Sequence, residues 1–277
     1  MLKIDAHQHF WIYDSIRDAW IDDSMSVIRR DFSPSDLEPL LKAHQIDGCM
    51  AVQADQSEAE NDFLLKHASE NQFIKGVVGW VDLRVKDLEE KLQEYKRNPL
   101  MKGFRHILQG EENRDLMLEP DFQDGLKLLN RYNFTYDVLI LPDQIKYFIE
   151  FLETNEPMPL VLDHIAKPNI KTSDIEGWKK DMEQLAVFEN VSCKVSGMIT
   201  EADWQNWKYE DFEPCLDIVF NTFGINRLMF GSDWPVCNIA GGYDKMLSVV
   251  TKYTSQLSQT EQEKFWGGNA QQFYNLA

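Results

Sequence analysis

Positive charge is scarce in this chain: Lys and Arg total 28 against 46 Asp and Glu, for a formal net charge of −18. Long-range repulsion therefore argues against nucleic acid or an anionic membrane surface as a partner and leaves a small molecule as the expected one. Cysteine is sparse as well. Cys49, Cys193, Cys215 and Cys237 form no C-x-x-C pair and no zinc-finger spacing, which suggests reduced thiols that fill core space. No segment approaches the roughly 18 uninterrupted apolar residues of a membrane span. A positively charged leader is missing before the first apolar run, so a cytoplasmic protein is the expectation. Also missing is the glycine-rich phosphate loop that follows a first Rossmann strand; His7-Gln8-His9 stands there instead.

What the chain does have is alternation. Short apolar or β-branched runs at Leu2 to Ala6, Gly48 to Gln53, Lys75 to Val81, Lys102 to His106, Thr135 to Ile140, Leu160 to Asp163, Val191 to Val195 and Arg227 to Phe230 read as strands. Amphipathic stretches separate them. The first helix starts at Ser33-Pro34-Ser35-Asp36, with Ser33 as cap and Pro34 in the first turn, and a last one is expected over Gln259 to Tyr274. Eight β-then-α units suit a distorted (β/α)8 TIM barrel, an α/β fold that typically takes about 250 residues, so the 277 residues read as a single domain. The connection from residue 10 to residue 32 is too long for an ordinary βα loop and is expected to cover the barrel mouth.

In such a barrel the C-terminal strand ends share one face. The polar residues expected there are His7 and His9, Gln53, Arg105 and His106, Asp137, Asp163 and His164, Lys194 and Ser196, and Asp233. His7 and His9, two apart on a strand, point the same way. Together with His164 and Asp233 they make a plausible site for one divalent ion, Zn or Mn, or else a hydrogen-bonded network with none. Asp233, at a sharp stop in Gly231-Ser232-Asp233-Trp234-Pro235, suits a general base taking a proton from water. Strand alternation allows only one of Arg105 and His106 to face the mouth, and either would hold a substrate carbonyl. Lys194 is equally compatible with a buried ion pair and a substrate contact. Trp11, Trp20, Trp80 and Trp234 form a candidate ligand wall, Gln53 a candidate substrate contact.

Ile4-Asp5-Ala6-His7-Gln8-His9-Phe10-Trp11, Gly103-Phe104-Arg105-His106, Leu162-Asp163-His164-Ile165-Ala166-Lys167-Pro168, Cys193-Lys194-Val195-Ser196-Gly197 and the Phe230 to Pro235 segment, in that order, carry a wider likeness. As an ordered set they resemble the amidohydrolase superfamily, and within it the sugar-lactone hydrolase branch that includes L-fuconolactonase and L-rhamnonolactonase. The resemblance implies a barrel that opens a cyclic ester by attack of water, with His7 and His9 as the first-strand pair, His164 as the later histidine and Asp233 as the final-strand aspartate. No lysine ends strand four, so the bridging lysine of binuclear members has no counterpart, and one metal or none is expected. His164 and His106 join Asp233 as catalytic candidates; Arg105, Lys194, Gln53, Trp20, Trp80 and Trp234 are the substrate-binding ones. A related activity, metal-dependent hydrolysis or decarboxylation of an unsaturated or aromatic carboxylic acid, is the alternative. A homo-oligomer is compatible with the sequence but not indicated by it.

Overall fold

The computed structural model describes residues 2–276. Eight parallel strands run in sequential order: β1 (Ile4–Gln8), β2 (Gly48–Val52), β3 (Ile74–Gly79), β4 (Met101–His106), β5 (Thr135–Val138), β6 (Leu160–Leu162), β7 (Val191–Val195) and β8 (Leu228–Phe230). Helices α1 (Pro34–Ala43), α2 (Glu58–Glu70), α3 (Leu88–Tyr95), α4 (Pro120–Arg131), α5 (Ile145–Thr154), α6 (Glu176–Leu185), α7 (Tyr209–Phe223) and α8 (Tyr243–Thr254) follow the strands in turn. The expected (β/α)8 barrel is present. Ser33 is the N-cap residue of α1, but its side chain makes no cap bond to the helix; the bond there runs the other way, the Asp36 carboxylate accepting from the Ser33 backbone N–H at 2.9 Å.

The barrel is distorted where it closes. β8 and β1 share no ladder, only a parallel bridge between Gln8 and Trp234. Two bonds make that bridge: Asp233 N–H donates to His7 O at 2.8 Å, and His9 N–H to Trp234 O at 2.7 Å. The seam is thus stitched by the residues flanked or formed by the candidate site itself. Nearer the strand starts, a π turn at Lys264–Gly268 packs against both β1 and β8. Gly267 is required there, because a Cβ would fall 1.9 Å from Leu2 O. The continuous helix expected over Gln259 to Tyr274 is consequently broken into α9 (Gln259–Glu263), that π turn and α10 (Asn269–Phe273).

Two apolar cores result. One lies between the sheet and its helices. The other fills the barrel interior with Ile4, Ala6, Met50, Val52, Val78, Val161 and Met229, and is closed by Ala270 and Tyr274 from the carboxy-terminal segment. β1 begins and ends two residues later than the apolar run alone implied, which carries His7 inside the strand. The loop at residues 10–32 is tied at its base, Trp11 and Phe32 exchanging backbone bonds of 3.0 and 2.9 Å.

Candidate active site

At the C-terminal mouth of the barrel lies a cavity of about 420 Å³. His9, Arg105, His164 and Asp233 line its floor, and Trp11, Arg17, Asp18 and Trp20 from the long loop form one wall. Asp233 Oδ1 is 3.4 Å from His9 Nε2, 3.9 Å from His164 Nε2 and 4.0 Å from His7 Nε2. The two ends of the chain therefore meet in one pocket. Both His164, at φ 54°, and Asp233, at φ 56°, sit in the left-handed region, costly for residues with a Cβ. A bond from Lys167 N–H to His164 O at 2.8 Å and one from the Trp178 indole to Ile165 O at 2.8 Å hold the first of these turns.

Each imidazole is oriented through its second nitrogen. His9 Nδ1 donates to Val52 O at 2.8 Å, because a carbonyl can only accept; in the neutral ring this leaves Nε2 bare toward the cavity. His164 Nδ1 lies 2.9 Å from Ser196 Oγ. His7 faces an obligate donor at each ring nitrogen, Arg105 Nη1 3.3 Å from Nε2 and Lys194 Nζ 3.1 Å from Nδ1. His7 Nε2 and His9 Nε2 are 3.2 Å apart. The bare Nε2 of His9 and the Asp233 carboxylate, 3.4 Å apart, repel one another unless a cation or proton sits between them. His7, His164 and Asp233 each offer a ligand atom within 4.8 Å of the others. Donor type and spacing fit a divalent ion.

Electrostatics follow from burial. Burial holds His7 well below the usual histidine value despite the Asp163 charge beside it, and holds His164 well below it despite Asp233. Both rings are thereby kept neutral, the form that binds a metal or accepts a proton. For Asp233 burial pushes the carboxyl up, but His164 and His9 outweigh it and the net displacement is downward.

Beneath the floor lies a buried charged layer. Lys194 Nζ donates to Asp137 Oδ2 at 2.5 Å and stands 3.0 Å from Asp163 Oδ1. Arg105 Nη1 donates to Asp163 Oδ2 at 3.1 Å, and its Nη2 donates to Gln53 O. Burial raises Asp137 to about 6, with Lys194 pulling the other way. Asp163 lies well below the ordinary carboxylate value: burial opposes this, but Lys194, His7 and Arg105 prevail.

Several sequence expectations are corrected by this geometry. Arg105 faces the mouth, whereas His106 turns outward, 2.7 Å from Glu111 Oε1 and edge-on to Phe122 of α4. Alternation along β4 permits no other outcome once Arg105 points inward. Trp80 is not in the wall; its indole donates to His106 Nδ1 at 3.2 Å. Trp234 is buried edge-on against Phe10 and Phe32, beneath the loop rather than facing the cavity. Gln53 is buried, its amide donating to Arg105 O at 3.0 Å, and Lys194 is sealed in its ion pairs. Of the substrate-binding candidates, Arg105 and Trp20 line the cavity. Arg17 and Lys167, which also line it, were not singled out as contacts by the sequence. Lys167 had a signal, its place three residues past His164; Arg17 lies in a loop without periodicity.

A parallel barrel with imidazoles and a carboxylate gathered at its C-terminal mouth defines a class of water-activating hydrolases. The chain belongs to the amidohydrolase family, whose model matches residues 4–276. It is 39% identical to an L-fucono-1,5-lactonase of Burkholderia multivorans, over 99% of this chain and 96% of that one. An L-fucono-1,5-lactonase of Burkholderia ambifaria is 34% identical, again over 99% and 96%. A crystal structure of a Burkholderia multivorans amidohydrolase with bound zinc superimposes with a TM-score of 0.96 at 40% identity, each chain covered in full.

Proposed function

We propose that this protein is a lactonase that opens a sugar lactone, of the aldono-1,5- or 1,4-lactone class, to the aldonic acid. The observation that carries the reading is Asp233 Oδ1 within 4.0 Å of three imidazoles on the cavity floor. Full-length likeness to two L-fucono-1,5-lactonases supports it.

In this reading Asp233 takes the proton of a water held among His7, His9 and His164, and the water attacks the ester carbonyl. Its depressed carboxyl stays ionised, as a base must. The guanidinium of Arg105, fixed by Asp163, lies where it stabilises the oxyanion of the tetrahedral species. The proton on Asp233 then passes to the ring oxygen as it leaves, so the carboxylate is regenerated. His7, His164 and Asp233, with His9 beside them, would hold a divalent ion such as zinc or manganese. When bound there, such an ion acidifies water and polarises a carbonyl.

Trp20, half exposed at the cavity wall, offers a flat face to the C–H side of a sugar ring. Among the described residues, every cation lining the cavity already has a carboxylate partner: Arg105 with Asp163, Arg17 with Asp18 and Lys167 with Glu201. None is left to receive a substrate carboxylate, which favours a neutral lactone over an aromatic or unsaturated acid. The test is a pH-indicator screen of L-fucono-, L-rhamnono-, D-arabinono- and L-galactonolactone with and without a chelator. Acid release from at least one lactone is expected; none from any of them overturns the reading.

A further inference from the structure

The cavity wall formed by the loops after β2 and β4 carries three polar side chains that water activation does not use: Asp55, Gln56 and Gln109, all half-buried. In a barrel of eight sequential strands, β2 and β4 stand across the mouth from β6 and β8, whose ends deliver His164 and Asp233. A lactone whose carbonyl meets Asp233 therefore turns the far side of its ring toward this wall.

Each of the three has hydrogen-bonding capacity left over. Gln56 Oε1 accepts from Ile107 N–H at 2.7 Å, which ties the two loops together and fixes the carboxamide. Its Nε2, a group that only donates, has no partner among the described residues. The Asp55 carboxylate, which only accepts, has neither an ion-pair nor a hydrogen-bond partner among the described residues. Arg17, which lines the same cavity, is taken by Asp18, with Nε 2.8 Å from Oδ1 and Nη2 2.7 Å from Oδ2. Gln109, in the turn Leu108–Gly110, has its Oε1 buried without a donor, and leaving such an oxygen unpaired costs free energy.

A hydroxyl group answers both needs of this wall, because it donates one hydrogen and accepts on two lone pairs. The chemistry that fills the set is thus a neutral ring bearing several hydroxyls, which donates to Asp55 and accepts from Gln56. An anionic ligand would meet the Asp55 charge there instead.

We propose that Asp55 and Gln56, with Gln109 beside them, bind the hydroxyl groups of the lactone ring and set a preference for a polyhydroxylated lactone over a bare one. The inference rests on the lactonase reading and extends it by assigning the side chains that read the sugar.

The test is the ratio of kcat/KM for the best sugar lactone to that for the unsubstituted lactone of the same ring size, δ-valerolactone or γ-butyrolactone. Where the bare lactone turns over too slowly to follow, its inhibition constant divided by the KM of the sugar lactone replaces that ratio. Wild type is expected to favour the sugar lactone at least about 100-fold. Asp55→Ala is expected to cut the ratio about 10–100-fold, as loss of a hydrogen bond to a charged group does. Gln56→Glu keeps an oxygen for Ile107 N–H but replaces the donor by an acceptor, and is expected to cut it at least about fivefold. A ratio left unchanged by either variant, including one in which both activities fall together, overturns the proposal and leaves the proposed function standing. So does a wild type that takes both lactones equally well, even where a variant does not fold. A wild type that opens no lactone defeats the proposed function, and this inference with it.

Discussion

Gly197 presses on His164: a Cβ at Gly197 would stand 2.6 Å from His164 Nδ1, and the residue has φ +65°. The glycine follows Ser196, whose hydroxyl contacts that same ring nitrogen at 2.9 Å. Gly197→Ala must therefore both strain its own backbone and displace the imidazole. A stability loss of about 1–3 kcal/mol by urea titration, together with at least a tenfold fall in kcat, is expected. Unaltered kinetics would show that the ring's position does not matter.

His106 faces away from the cavity, so His106→Gln should leave kcat within about threefold of wild type. A hundredfold loss would restore it to the catalytic group. The same variant tests a pH effect. Burial lowers the His106 pKa from its ordinary value despite Glu111. The unfolded chain then binds more protons than the folded one below about pH 6.5, so this histidine's contribution is present above that pH and lost as pH falls through the folded value. The stability gap between wild type and His106→Gln should narrow between pH 7.5 and 5.5; a gap that widens would contradict the sign.

Lys194 neutralises two buried carboxylates, Asp137 and Asp163. Its removal in Lys194→Met leaves them uncompensated, and such a break costs about 3–5 kcal/mol. The double variant Lys194→Met, Asp137→Asn should lose less than the sum of the single losses, because one orphaned charge is gone. Additive losses in urea titrations would mean that the two residues do not interact.

Trp20 and Trp80 were alike as sequence candidates but differ in place. Trp20→Ala should raise KM several-fold at nearly constant kcat, since it removes a wall that touches ground and transition states equally. Trp80→Phe should change KM little, because the indole serves His106. The reverse pattern would reassign the wall.

The parts of the fold and site legible in the sequence are those that depend on local pattern. Alternating apolar runs marked all eight units, and His7, His9, His164 and Asp233 stood at strand ends because βα units put those ends on one face. Strand four shows where legibility stops. Alternation required that Arg105 and His106 diverge, but which one faces inward depends on register against β5, where Arg105 pairs with Asp137, and no local signal carries that. Tyr274 was invisible for a related reason: its partner Asp137 lies on a distant strand, and the Gly267 break that redirects the last helix answers to the backbone of Leu2.

Asp233→Asn, assayed on whichever lactone the wild type hydrolyses, bears most directly on water activation by the joined chain ends. Its side chain keeps the size and one acceptor but cannot take a proton. With folding verified by circular dichroism, kcat is expected to fall about 10²–10⁴-fold while KM changes only a few-fold. Hydrolysis at a rate near that of the wild type would contradict the role of Asp233 as the base.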